Sequence, residues 1–179
     1  MQANRYNLLA IFLHWLMVLC ILGLLGLGFY MADLPFSLFR LKLFNWHKWL
    51  GVTVFILAVI RLTWRKLTPP PSLPEHMSGL ERFLAYCGHA SLYALMLFIP
   101  ISGWLMSSAK GFTTVYLGII ALPNLIEKDK LVGDTLTDLH AGLNWLLVVF
   151  ICLHVLAALK HHFWDKDDVL KRMMFRKNK

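Results

Sequence analysis

Eight histidines stand in this chain, and five of them, His14, His47, His89, His140 and His154, lie inside long apolar runs. An ionisable side chain at membrane depth is costly and usually serves function, so the spacing of these five decides what chemistry they can do. His140 and His154 are 14 residues apart. On a helix that returns them to within about 40° of one face and separates them by about 21 Å along the axis. One helix therefore offers an imidazole at each of two depths. His47 sits about one turn inside the second apolar run, level with His140, and His14 is about one to two turns inside the first, level with His154. Two imidazoles facing each other across a helical bundle can take the iron of a haem from both sides, with the porphyrin dissolved among apolar side chains. A zinc or copper centre would want three or four clustered ligands backed by carboxylates, and the apolar runs contain almost none. The pattern points to two non-covalent haems with two histidines each.

His89 complicates the inner pair. It enters the third apolar run to about the depth of His14 and could replace it as a ligand; depth alone does not choose between them. His161 follows His154 by seven residues on the same face, towards the nearer membrane edge, where a reducible quinone would need hydrogen-bond and proton partners. His162, beside Lys160, reads as a polar tip at the lipid headgroups. Arg61 shares the face of His47 but lies at the level of the inner pair, within reach of a haem propionate. Arg40, Lys42 and Lys48 surround the outer mouth near His47, where they could hold the outer propionates, draw in an anion or simply face lipid phosphates.

The elements that position these residues are transmembrane helices. With 58% hydrophobic and 16% charged residues and a mean hydropathy of +0.60, the chain lies outside the range of soluble domains. Its apolar content falls into four blocks, residues 8–32, 43–64, 83–109 and 136–164, each able to supply the roughly 20 helical residues that cross a bilayer. The fold class is all-α, a single membrane domain built as a four-helix bundle with haems between the helices. The first block is too long for a signal-peptide core and no small-x-small cleavage site follows it, so it is expected to remain as a span. Gly23, Gly26 and Gly28 keep the first helix slim, while Gly51, Ala157 and Ala158 lie about a turn beyond His47 and His154, where a macrocycle needs room. Cys20, Cys87 and Cys152 all sit in apolar blocks, and none belongs to a C-x-x-C-H haem attachment site.

Four spans put both termini on one side, together with the connection that carries Pro69, Pro70, Pro71 and Pro74, a stiff spacer that cannot be helix. That side, counting helix ends, holds 12 of the 18 basic residues: Arg5, Arg61, Arg65, Lys66, Arg82, Lys160, Lys166, Lys171, Arg172, Arg176, Lys177 and Lys179. By the positive-inside rule both termini are cytoplasmic. The net charge of +8 is then a matter of topology and anionic lipid rather than of nucleic-acid binding. The longest connection, residues 110–134, faces outwards and is expected to hold a short amphipathic segment. Trp15, Trp46, Trp49, Trp64, Trp104 and Trp164 lie towards span ends as interfacial anchors, with Trp15 and Trp49 also placed to pack on a cofactor.

Taken in order, Leu13-His14-Trp15, His47 with Gly51, the run from Arg61 to Arg65, Gly88-His89, the pair Leu139-His140 and Leu153-His154, and the tail from Lys160 to Asp167 resemble the bacterial cytochrome b561 family of small four-helix di-haem proteins. The likeness covers nearly the whole chain. It implies two haem b groups, one ligated by His14 with His154 and the other by His47 with His140, and it leaves His89 and His161 as quinone-site residues on the cytoplasmic side. It further implies an oxidoreductase that oxidises superoxide at the outer surface and reduces ubiquinone. Arg40, Lys42, Lys48 and Lys110 suit a small anion, although Glu127, Asp129 and Asp134 share that surface. The alternative is a membrane subunit that links a separate dehydrogenase or hydrogenase to the quinone pool, which a stoichiometric partner on purification would favour. A colourless purified protein would favour a third reading, a non-redox carrier using its intramembrane histidines.

Overall fold

A computed structural model describes residues 5–175; Arg176, Lys177 and Lys179 of the basic tally lie outside the described residues. Four helices form the body: α1 (Leu8–Ala32), α2 (Leu38–Leu67), α3 (Gly79–Ala109) and α4 (Lys130–Phe163). All are long and apolar enough to cross a membrane.

Each helix begins at a residue able to satisfy its orphan amides. The Asn7 side chain accepts from the Ala10 amide, Ser37 from Arg40 and Asp129 from Val132, while Ser78 and Glu81 form a capping box. The helices outrun the apolar blocks because a cap, not the hydrophobic boundary, ends a helix. Thus α2 starts at Leu38 and α4 at Lys130, each extending past its apolar block at the end away from the termini. α2 stops at Thr68, just before the proline run. α3 closes through Gly111, at φ 77°, with the Gly111 amide on Ser108 O and the Phe112 amide on Ser107 O. That is the left-handed ending glycine adopts without strain.

α3 packs along α4, α1 along α2, and α2 joins the two pairs through α3. Among the described residues α4 makes no comparable backbone packing with α1 or α2, although the facing histidines come from those helices. Few apolar side chains are buried within the protein; Ile11, Leu13, Met17, Val54, Ala58, Leu95 and Leu147 are among them. Many more lie exposed along the spans, as a lipid-facing surface requires.

The connection between α3 and α4 differs from the amphipathic segment expected of it. It is a two-stranded hairpin, β1 (Val115–Tyr116) with β2 (Ile120–Ala121), turned through Leu117 and Gly118 at φ 53° and 74°. Three tryptophans act as pegs for the chain between and beyond helices. Trp49 Nε1 donates to Val115 O (2.6 Å), Trp104 Nε1 to Pro123 O (3.0 Å) and Trp15 Nε1 to Met173 O (2.8 Å). Trp15 and Trp49 therefore spend their indole N–H groups on backbone carbonyls at opposite ends of the bundle. Near the termini, Arg172 also donates to Ser72 O (2.7 Å), tying the C-terminal segment to the proline-rich connection.

Candidate functional site

The histidines meet at two levels. Towards the hairpin end, His47 on α2 faces His140 on α4 with ring centres 6.4 Å apart. Towards the termini, His14 on α1 faces His154 on α4 at 6.3 Å. Six-coordinate iron lies about 2 Å from each axial nitrogen, and an imidazole centre about 1.15 Å behind that, so two axial rings stand about 6.3 Å apart. Both separations fit that requirement. His89 also touches His154, with ring centres 5.5 Å apart, about 0.8 Å short of the same spacing. Its Nδ1 is within 2.7 Å of Ala85 O, an acceptor that fixes the ring proton on Nδ1.

α3 contributes two residues to the level nearer the hairpin that the sequence reading did not single out. Ser102, buried at 4% exposure, donates its hydroxyl to Ile99 O (2.8 Å) and lies 2.9 Å from His140 Nδ1. With the hydroxyl proton committed to Ile99, Ser102 Oγ accepts from His140 Nδ1–H and leaves Nε2 free for a metal. A second hydrogen bond of this kind orients ligating histidines in metal sites generally. Gly103 lies against the same ring: a Cβ there would come within 3.1 Å of His140 Cε1, and one at Gly28 within 3.2 Å of His47 Cε1. Both rings are seated on glycine backbone. Gly51, expected to leave room beyond His47, has nothing within 4 Å of a Cβ position, and neither has Gly26, expected to keep α1 slim. His47 Nδ1 is buried without a protein partner.

The inner level is charged. Arg61 on α2 donates Nε–H to Tyr93 OH (3.0 Å), while its Nη1 is buried without a partner. It lies in electrostatic range of His14, His89 and His154. A guanidinium in that position calls for an anion, and a propionate would meet the need. The donor set at both levels thus suits a haem.

The remaining residues lie at the two rims. Arg40 reaches Ala32 O (3.3 Å) and stacks on Phe44. Lys42 is exposed and Lys48 half-buried, both without an ion-pair partner among the described residues, whereas Lys110 approaches Asp134 (3.9 Å). At the other end His161 engages Asp167 (2.6 Å) and Asp165 (3.2 Å). Burial opposes the charge on Asp167, but the Val169 amide and the His161 ring outweigh it and hold the carboxyl below its ordinary range. His76, which sequence reasoning also missed, approaches the same carboxylate (3.3 Å).

Comparison with known proteins identifies the family. The sequence profile of the family described as prokaryotic cytochrome b561 matches residues 5–176. Among curated proteins, the chain is 36% identical over 172 residues to "Cytochrome b561 homolog 2" of Escherichia coli (strain K12), covering 96% of this chain and 92% of that protein. It is 28% identical over 184 residues to "Probable superoxide oxidase CybB" of Yersinia pestis, covering 97% and 98%. To "Cytochrome b561 homolog 1" of Escherichia coli (strain K12) it is 26% identical over 180 residues, covering 97% and 99%. A b-type haem and membrane electron transfer come with the family, and the chain, a bacterial membrane protein with four spanning helices, belongs to the prokaryotic cytochrome b561 family.

Proposed function

We propose that this protein is a superoxide:ubiquinone oxidoreductase that carries electrons across the inner membrane, with both termini in the cytoplasm. The observation that carries the reading is the pair of histidine couples at 6.4 and 6.3 Å, each with one partner on α4. His47 and His140 ligate an outer haem, and His14 and His154 an inner one. Bound there, two haems supply one-electron chemistry at two depths. The likeness to a probable superoxide oxidase supports the substrate.

The chain's own residues have distinct tasks in this reading. Ser102 holds the His140 ring and its tautomer; Gly28 and Gly103 let both outer imidazoles seat. Arg40, Lys42 and Lys48 give the outer mouth a positive field that draws in a small anion. Arg61 balances a propionate at the inner level. His89 and His161, whose Nδ1 protons are held by Ala85 O and Asp167, serve a quinone on the cytoplasmic side through Nε2. That nitrogen donates to a carbonyl only when the ring carries a second proton, and so passes on the protons that accompany reduction. In balance, two superoxide anions, two protons and one ubiquinone give two molecules of oxygen and one ubiquinol.

The test is a purified preparation whose reduced-minus-oxidised spectrum and haem-to-protein ratio are measured first. Two b-type haems per chain, reduced by enzymatically generated superoxide and reoxidised by a short-chain ubiquinone, are expected. A single haem, or two haems that superoxide leaves oxidised, would overturn the di-haem assignment or the substrate respectively.

A further inference from the structure

Four metal-ligating side chains converge where the proline-rich connection, the end of α4 and the C-terminal segment meet: His76, His161, Asp165 and Asp167. One ligand atom from each lies within 4.8 Å of all the others. The convergence is built by the backbone. After α4 ends at Phe163, the Asp165 amide bonds Lys160 O and the Asp167 amide bonds His161 O, and Lys166 takes the left-handed region at φ 54°. That turn folds both aspartates back onto the His161 ring. The side chains of His161, Asp165 and Asp167 are only 12%, 16% and 11% exposed, and His76, 53% exposed, closes the cluster from the connection.

We propose that these four residues form a site for a divalent transition metal, of the zinc class, at the end of the bundle that carries the termini. Two imidazoles and two carboxylates are a donor set that zinc accepts in tetrahedral geometry. Bonds of about 2.0 Å place tetrahedral ligand atoms about 3.3 Å apart. His76 Nε2 to Asp167 Oδ2 is 3.3 Å and His161 Nδ1 to Asp165 Oδ2 is 3.2 Å, so two edges already have that length. The third measured edge, His161 Nδ1 to Asp167 Oδ2, is a 2.6 Å hydrogen bond. It opens by about 0.7 Å when the metal takes the place of the shared proton and the ring proton moves to Nε2. Lys160 bonds Asp165, but it also bonds Glu81 at 2.9 Å, so Asp165 can turn to a metal while Lys160 keeps a carboxylate partner.

The site uses Nδ1 of His161 and does not depend on a quinone at its other nitrogen. Its physical effect is to clamp three chain segments that hydrogen bonds and ion pairs already bring together. Zinc chloride is titrated into the purified haem-loaded protein by calorimetry, with bound zinc counted by elemental analysis and haem content measured in every sample. The wild type is expected to bind one zinc per chain saturably. Asp167→Asn and His76→Gln should each weaken binding by at least about tenfold, and His76→Asp, which restores an oxygen ligand, should recover most of it. Haem content should not change. His76 is exposed enough that its replacement leaves the fold intact, so His76→Gln decides the matter if Asp167→Asn loses haem. Equal zinc affinity in wild type and His76→Gln, or no saturable binding at one per chain, would overturn the proposal.

Discussion

On the proposed assignment of His140 to an outer haem, replacing Ser102 by alanine isolates one atom that bears on that haem alone. The hydroxyl is 2.9 Å from His140 Nδ1 and 2.8 Å from Ile99 O, in a side chain only 4% exposed, so water cannot take its place. Its loss leaves the ring N–H only the Ile99 carbonyl, which the hydroxyl also used, as an acceptor, and the exchange of a well-placed partner for a poorer one costs up to about 1 kcal/mol. Part of that cost falls on ligand orientation, and weakened metal affinity of about 10-fold is the lower end of what such a loss does to a ligating histidine. The electronic effect has a definite sign. An accepted Nδ1–H makes the imidazole a stronger donor and favours the oxidised iron, so losing the acceptor raises the outer potential. A tenfold change in the oxidised form alone corresponds to about 59 mV for one electron. The assay is an optical redox titration with a haem count, run on wild type, Ser102→Ala and Ser102→Thr, with His140→Ala as the limit of complete outer-haem loss. Ser102→Thr, which keeps the hydroxyl, should stay near wild type. An unchanged occupancy and potential in Ser102→Ala would refute the role of the hydroxyl, and a shift confined to the inner haem would refute the assignment of depth.

Gly103→Ala and Gly28→Ala should each displace an outer imidazole by a few tenths of an ångström, costing about 1–3 kcal/mol of packing, because a Cβ would stand 3.1 Å from His140 and 3.2 Å from His47. Haem counts should fall towards one per chain with the inner haem retained; loss of both together would sink the idea that these glycines serve one level. Arg61→Gln removes a positive charge at the inner level and should lower the inner potential by on the order of 40 mV, equivalent to about 1 kcal/mol. An inner potential that does not move would place the guanidinium away from the haem.

Much of the fold is legible because lipid leaves the chain few options. A run such as residues 8–32 must satisfy its backbone internally, so it is a helix wherever it crosses, and the 14-residue spacing of His140 and His154 then assigns two depths before any contact is known. What stayed hidden depends on register between helices. Ser102 and Gly103 read from sequence as small packing residues on an apolar helix; only the docking of α3 on α4 brings them to His140. The signal for Ser102 lay in a question that can be asked of any ligating histidine, namely what accepts from its other nitrogen. His76 sits in an irregular connection with no period to place it, and its neighbours arrive from the far end of the chain. The hairpin escaped notice because its strands are two residues each, too short for alternation to show. Its turn and the Trp49 indole hold it.

The two levels also differ in a way that bears on direction. The outer imidazoles rest on uncharged supports, a serine hydroxyl and two glycines, whereas the inner level has a third imidazole in contact with His154 and a buried arginine with one nitrogen unsatisfied by protein. A fixed positive charge stabilises whichever neighbouring centre holds the extra electron. The hydrogen bond from His140 to Ser102 acts the opposite way on the outer centre, favouring its oxidised form. On the proposed assignment Arg61 is balanced against a propionate at the inner level, while Arg40 and Lys48 act on the outer one. The Ser102 hydrogen bond is then the support whose sign is definite, favouring an electron at the inner centre. Tyr93, which accepts from Arg61 Nε at 3.0 Å, fixes where that buried guanidinium places its charge.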